Sequence, residues 1–297
     1  MSSVVSRWYD PWLTALAPLI WGSTYLVTTE FLPPDVPLLS AALRTLPVGL
    51  LMLLWLRQLP AAGWWGKILL LGFLNIGVFQ ALLFVAAYRL PGGVAATVGA
   101  IQPLVVVILS WAVLGGRTSW LSWIAALSGL LGVAMLVLGP AAQLDSIGVM
   151  AAAAGALAMA CGTLLTKKWQ PPVSALVLTS WQLSVGGLFL LPLAFSVETL
   201  PQSLSLTHIL GYLWLGLIGT GLTYVFWLRG VMRMSASAVT GFSLLSPLSA
   251  TVLGLVVLDQ HLTLVQSLGM VLVLTGVWLG QHKTTAAVMP VKAEASQ

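Results

Sequence analysis

The sequence predicts an all-α integral membrane protein, with ten transmembrane helices arranged as two inverted-topology five-helix repeats around a central cavity. Three observations predict it. Hydrophobic residues make up 59% of the 297-residue chain and charged residues 6%, where a soluble domain carries roughly 25% charge. The apolar residues fall in runs of about 20, enough for a helix rising 1.5 Å per residue to cross a hydrocarbon core of about 30 Å. The chain also repeats itself at long period. Helices are required because backbone groups in lipid must be satisfied within the protein, and unbroken, non-alternating runs do not suit barrel strands.

Breaks at Pro/Gly clusters and charges give spans at about 11–30, 37–57, 67–88, 92–114, 120–139, 146–167, 174–195, 207–229, 235–258 and 262–281. The first resembles a secretory leader, but the repeat uses it, so it is expected as an uncleaved helix. The tail at 284–297 is polar and small-residue-rich, and is expected to be disordered and cytoplasmic. Mean hydropathy is +1.02, and no segment outside the spans is long enough to bury a core of its own.

The formal charge of +5 would raise nucleic acid as a partner in a soluble chain. Here the basic residues sit singly or in pairs between apolar runs, so the bilayer explains them and no nucleic-acid partner is expected. With the N-terminus inside, the inner set holds Arg7, Arg57, Lys67, Arg117, Lys167, Lys168, Arg229, Arg233, Lys283 and Lys292, and only Arg89 lies at an outer loop end. Glu30, Asp35, Asp145, Glu198 and Asp259 all fall outside. Both termini are therefore expected in the cytoplasm, with the chain in a bacterial inner membrane. Cys161 is the only cysteine, which excludes an intrachain disulfide and a Cys-rich metal site.

Sliding 68–139 onto 212–283 requires no gap. Leu71, Gly72, Gly77, Arg89, Pro103, Leu104, Leu114 and Gly132 then fall on Leu215, Gly216, Gly221, Arg233, Pro247, Leu248, Leu258 and Gly276. Upstream, the Pro-Pro pair at 33–34 falls on 171–172, and Gly49 on Gly187. The repeats are expected at 11–139 and 146–281. Five spans per repeat is an odd number, so the two enter the membrane from opposite sides. Inverted repeats provide two pseudo-equivalent conformations that open one central site to either face, which is the requirement of a transporter and not of a receptor or scaffold.

"WGSTY" at 21–25, the arginine in "ALRTLPVGLLML", "VAATVGAIQPLVVVILSWAVLGGR" in the fourth span, its ninth-span counterpart "ASAVTGFSLLSPLSATVLGLVVLDQ" and the glycine pattern "GMVLVLTGVWLG" resemble the drug/metabolite transporter superfamily. Within it they resemble the ten-helix, EamA-type exporters, with YddG-type amino-acid exporters nearest in pattern. The resemblance covers 11–281. It implies a basket of helices around a cavity lined by the first, third, fourth, sixth, eighth and ninth helices, with the fifth and tenth peripheral. It also implies export of amino acids or related metabolites. Family members usually carry glutamate after the fourth and ninth helices, where this chain has Gly116 and Gln260.

Pro103 and Pro247 are matched in the repeat near mid-membrane. Proline lacks an N–H, so the carbonyls of Gly99 and Ser243, four residues back, lose their helical donors. These positions are candidates for a kink, a gate or a substrate contact. Gln102 and Ser246 flank the prolines at matched positions, and the Gln102 amide cannot face lipid cheaply. Tryptophans at span ends, such as Trp12 and Trp120, read as interfacial belts. The deeper aromatics Trp21, Tyr25, Phe79, Trp181 and Tyr224 could stack on a side chain or hold an ammonium by cation–π contact. Asn75 and Gln80 in the third span complete a polar, aromatic, uncharged candidate site.

No glycine-rich phosphate loop ending in Lys-Ser/Thr is present, so ATP is not expected. His208, His261 and His282 lie at span ends, and no carboxylate lies near the midplane, so transport is expected to run down the substrate gradient without a buried proton relay. No cofactor or metal is expected. An exporter of another metabolite or drug class is the alternative. An intramembrane enzyme on lipid-linked substrates would need a nucleophile, metal ligands or paired carboxylates in or beside the spans, and no such set appears, so no enzyme activity is expected. A monomer suffices for this reading.

Arg44 interrupts the second apolar run about seven residues from its outer end, roughly 10 Å at 1.5 Å per residue. Its guanidinium needs a partner, a route to water or a function. A structural brace that snorkels outward to Glu30 or Asp35 is expected ahead of a role in carboxylate binding. Gln182 holds the matched position of the other repeat.

Overall fold

The computed structural model describes residues 2–90, 95, 98–114, 119–137, 145–257 and 263–281. Gly116, Gln260 and the tail at 284–297 lie outside these residues.

The chain is an all-α, multi-pass membrane protein. The described residues form ten helical rods: α1 (Ser2–Trp21, continuing after Gly22 as Ser23–Phe31), α2 (Pro37–Leu56), α3 (Ala62–Arg89), α4 (Gln102–Leu114, with helical residues at 95 and 98–99 before it), α5 (Trp120–Val137), α6 (Ser146–Trp169), α7 (Ala175–Val197), α8 (Leu206–Arg233), α9 (Ala236–Gly241 and Leu245–Val257, joined by a 3-10 turn at Phe242–Leu244) and α10 (Leu264–Gln281). Six described helices are long and apolar enough to cross a membrane, and two shorter apolar ones accompany them. Large apolar side chains lie exposed along the rods, including Leu51, Leu54, Leu131 and Leu274, as expected of a surface whose solvent is lipid. Trp12, Trp55 and Trp120 are each at least 70% exposed, consistent with interfacial belts.

The first helix begins earlier than the apolar pattern indicates, at Ser2 and not near 11. It is interrupted at Gly22, where a Cβ would come within 2.8 Å of the α9 backbone at Ala250. Glycine lets the two rods approach there.

The packing follows the repeat. α2 packs on α7, α5 on α10, α1 on α8 and α3 on α6, so every principal contact is its own image or the image of another. The small residues at these contacts are matched pairs. A Cβ on Gly49 would meet the Ser184 backbone nitrogen at 2.6 Å, and one on Gly187 would meet the Leu46 nitrogen at 2.8 Å. Position 46 is the counterpart of 184. Likewise Gly132 abuts the Val273 nitrogen and Gly276 the Gly129 nitrogen, and 129 is the counterpart of 273. Both members of each pair sit where only a glycine admits the neighbouring backbone.

Two matched helices carry wide π turns, at Phe73–Val78 in α3 and Trp214–Leu222 in α8. Such turns often mark functional places in a helix. Both α4 and α9 break near their matched proline. Residues 100 and 101 form a turn before α4 resumes at Gln102 with Pro103 in its first turn, and α9 passes through its 3-10 turn before Pro247.

The ends of the bundle are tied by ion pairs. At one end Asp10 accepts from Arg229 Nε at 2.6 Å and lies 3.4 Å from Arg233. At the other, Arg89 Nη1 lies 3.4 Å from Asp145. Arg89 and Arg233 are repeat counterparts, and each meets an acid at the start of the other repeat, although Asp10 and Asp145 do not hold matched positions. Asp145 also caps α6, accepting from the Gly148 N–H at 2.7 Å, a typical N-cap arrangement.

Candidate functional site

A cavity of about 100 Å³ lies between the two repeats. At roughly 10–15 Å³ per water-sized centre it has room for on the order of seven to ten waters, the scale of a small metabolite. α1 contributes Trp21, Thr24 and Tyr25; α2, Arg44; α3, Phe79, Gln80, Leu83 and Ala86; the α4 region, Ala95, Gly99, Ala100 and Gln102; α6, Ala152, Gly155, Ala156 and Met159; α8, Tyr224; and α9, Ser243, Ser246 and Pro247. α5 and α10 contribute none of the described lining. The lining is mainly apolar and aromatic with a few polar groups, the usual make-up of a small-molecule site.

One wall is an aromatic cluster. The Trp21 ring lies 5.4 Å from that of Tyr224 and 5.2 Å from that of Trp227, both tilted, in the range where aromatic pairs attract. Trp21 is fixed by its indole N–H, which donates to Thr223 Oγ1 at 2.9 Å and to the Gly219 carbonyl at 3.1 Å. Tyr224 is fixed by its hydroxyl, which accepts from Gln80 Nε2 at 3.0 Å. The Gln80 Oε1 and the Gln102 Nε2 are buried without a partner among the described residues.

Arg44 is 1% exposed. Its Nε donates to Thr220 Oγ1 at 2.7 Å and its Nη2 to the Gly219 carbonyl at 2.8 Å. The guanidinium carbon lies 5.8 Å from the centre of the Phe84 ring. Nη1 has no partner among the described residues. Both oxygen acceptors belong to the π turn of α8. The expected pairing with Glu30 or Asp35 is corrected here: both acids are exposed, and Arg44 makes no ion pair among the described residues. The side chain reaches sideways to α8 and not outward, because backbone and hydroxyl oxygens lie closer than any carboxylate. Glu30 is not part of the cavity.

Two other sequence expectations are relocated. Asn75 lies outside the cavity: its Nδ2 donates to Gln182 Oε1 at 2.9 Å, and the residue is 1% exposed. The wide turn over Phe73–Val78 takes it out of line with Phe79 and Gln80 and towards α7. This contact is the counterpart of the Arg44–Gly219 contact, since 75 matches 219 and 182 matches 44. Trp181 is a core residue whose indole N–H donates to the Gln58 carbonyl at 2.7 Å, near the end of α2. Pro103 borders a separate small crevice with Gly241 and Gly276, whereas Pro247 lines the main cavity. The other candidates, Trp21, Tyr25, Phe79, Gln80, Gly99, Gln102, Tyr224, Ser243 and Ser246, all border it.

A family model, the EamA-like transporter family, matches 10–138 and again 146–280. Protein PecM of Dickeya dadantii is 43% identical over 267 residues, covering 89% of this chain and 90% of that protein. The uncharacterized transporter YwfM of Bacillus subtilis is 31% identical, covering 88% of this chain and 90% of its own length. The uncharacterized inner membrane transporter YedA of Escherichia coli is 27% identical, with 80% and 78% covered. A solved crystal structure superposes with a TM-score of 0.76 at 19% identity over 91% of this chain and 97% of that one, a likeness of fold.

Proposed function

Because this chain belongs to the EamA-like transporter family of the drug/metabolite transporter superfamily, we propose that it exports amino acids, aromatic or otherwise hydrophobic ones among them, or related small metabolites. It does so by alternating access, down the substrate gradient. The two repeats, 11–139 and 146–281, rock about the cavity in a bacterial inner membrane with both termini cytoplasmic. The names of YwfM and YedA as transporters agree with membrane transport, and YedA's with an inner-membrane location.

The observation that carries the reading is the cavity's position. It is enclosed by matched elements of both repeats, with Gln80 of one bonded to Tyr224 of the other, so a rearrangement between the repeats changes its access. Alternating access of inverted repeats around a fixed midplane site is the general mechanism such a geometry permits. The described lining holds no carboxylate or histidine, which supports movement without a proton relay at the site.

Counterflow tests this. Proteoliposomes preloaded with unlabelled amino acids are expected to take up the labelled forms, with rates unchanged by an imposed pH gradient. Strong accumulation driven by the pH gradient would exclude the uncoupled mechanism, and exchange of other metabolites alone would exclude amino acids.

A further inference from the structure

We infer that Arg44 is the recognition point for a carboxylate, so that the cavity takes monoanionic or zwitterionic carboxylates and rejects cations. The inference rests on the cavity being the transport site and names the chemical class that enters it.

Arg44 is the only Asp, Glu, Lys, Arg or His among the described residues bordering the cavity. The described lining therefore carries one full charge, and it is positive. Arginine remains protonated in proteins, so neutralisation by proton loss is not available. A buried ion without its counter-ion is unfavourable, and low surrounding dielectric strengthens the attraction for an anion that arrives. Thr220 Oγ1 and the Gly219 carbonyl hold Nε and Nη2 at 2.7 and 2.8 Å, which orients the guanidinium while supplying no negative charge. Nη1 is left without a partner among the described residues.

Charge balance at the guanidinium selects the ligand's anionic group. One guanidinium is neutralised by one carboxylate. A phosphate dianion would leave the cavity negative, with no second cation among the described lining to meet it. The Gln102 amide, also short of a partner, is a second hydrogen-bonding group on the wall. Gln80 Oε1, an acceptor without a donor, suits an ammonium at the other end of a zwitterion but is not required. The contrast with the repeat counterpart is informative. Gln182 braces at the matched place without a charge, its Oε1 accepting from Asn75 Nδ2 where Arg44 donates to Gly219. Bracing alone therefore does not explain why position 44 carries one.

The test compares phenylalanine, 3-phenylpropionate, phenylalaninamide and phenethylamine as probes of the full-length protein, by thermal stabilisation and by counterflow. The two carboxylates are expected to stabilise and exchange, and the amide and amine to fail by at least tenfold. Arg44→Gln is expected to abolish the discrimination and Arg44→Lys to retain part of it. Should Arg44→Gln not fold, Gln102→Leu, which leaves the α8 contacts intact, is expected to weaken carboxylate stabilisation severalfold. Equal response to carboxylate and amide, or no stabilisation by either carboxylate, overturns the inference. In that case the transport reading stands wherever another probe or metabolite exchanges. Arg44-dependent stabilisation without counterflow of any probe would uphold the carboxylate site and overturn the transport reading.

Discussion

Gln80 donates to the hydroxyl of Tyr224 across 3.0 Å, and the two residues hold the same position of the two repeats. A residue can touch its own counterpart only beside the axis that relates the halves, so the pseudo-two-fold axis passes the cavity wall at this bond. Tyr224→Phe leaves the Gln80 amide without its acceptor in a buried setting and is expected to cost about 1–3 kcal/mol. A double-mutant cycle with Gln80→Leu, read by thermal unfolding in detergent, is expected to show that the two losses are not additive.

The glycines at the α2–α7 contact make a sharper prediction. Gly49→Leu and Gly187→Leu each drive a side chain into the opposing backbone, at contacts already under 3 Å for a Cβ. Overpacking of this kind typically costs about 1–3 kcal/mol. Gly63→Leu, at a position with no atom within 4 Å of the Cβ, is the control. Folded yield by size-exclusion chromatography is expected to fall alike for the first two and to hold for the third.

The two end pairs share matched arginines but are not equals. Asp10 has a side chain 8% exposed and meets two arginines, whereas Asp145 is 38% exposed and meets one. Asp10→Asn is expected to cost about 1–2 kcal/mol, below the roughly 3–5 kcal/mol of a fully buried broken pair, since Arg229 and Arg233 are 31% and 46% exposed. Asp145→Asn keeps an N-cap and removes only a solvent-exposed pair, for about 0–1 kcal/mol. Unfolding temperatures at low and high salt check both.

Relocation of Asn75 can be tested against a true lining residue. Asn75→Ala is expected to lower stability through the loss of its bond to Gln182 while leaving apparent substrate affinity unchanged. Phe79→Ala, on the cavity wall, is expected to change affinity. Counterflow concentration dependence separates the two, and an affinity change of equal size in both variants would return Asn75 to the site.

The helices and the repeat were legible because the bilayer permits few alternatives: length and apolarity specify a span, and a gapless self-match specifies the symmetry. Most of the cavity was legible too, since a polar or aromatic residue deep in a span either lines a cavity or braces a neighbour. Which of these it does depends on helix azimuth, and the π turns at Phe73–Val78 and Trp214–Leu222 shift azimuth without a recognised sequence pattern, although both stretches contain glycine. Arg44 shows the same limit. Its partners are a backbone carbonyl and a threonine hydroxyl, and a carbonyl acceptor leaves no mark in a sequence, whereas the acids at 30 and 35 do.

Access to the cavity from both faces is the most direct measurement. In a Cys161→Ser background, Ser246→Cys places a thiol on the cavity wall, and a membrane-impermeant sulfonate reagent is applied to right-side-out and to inside-out vesicles under differing amino-acid loads. Alternating access predicts labelling from either face, in proportions that the load shifts, with counterflow abolished once the thiol is modified. Labelling confined to one face under every load, or counterflow that survives complete modification, would contradict it.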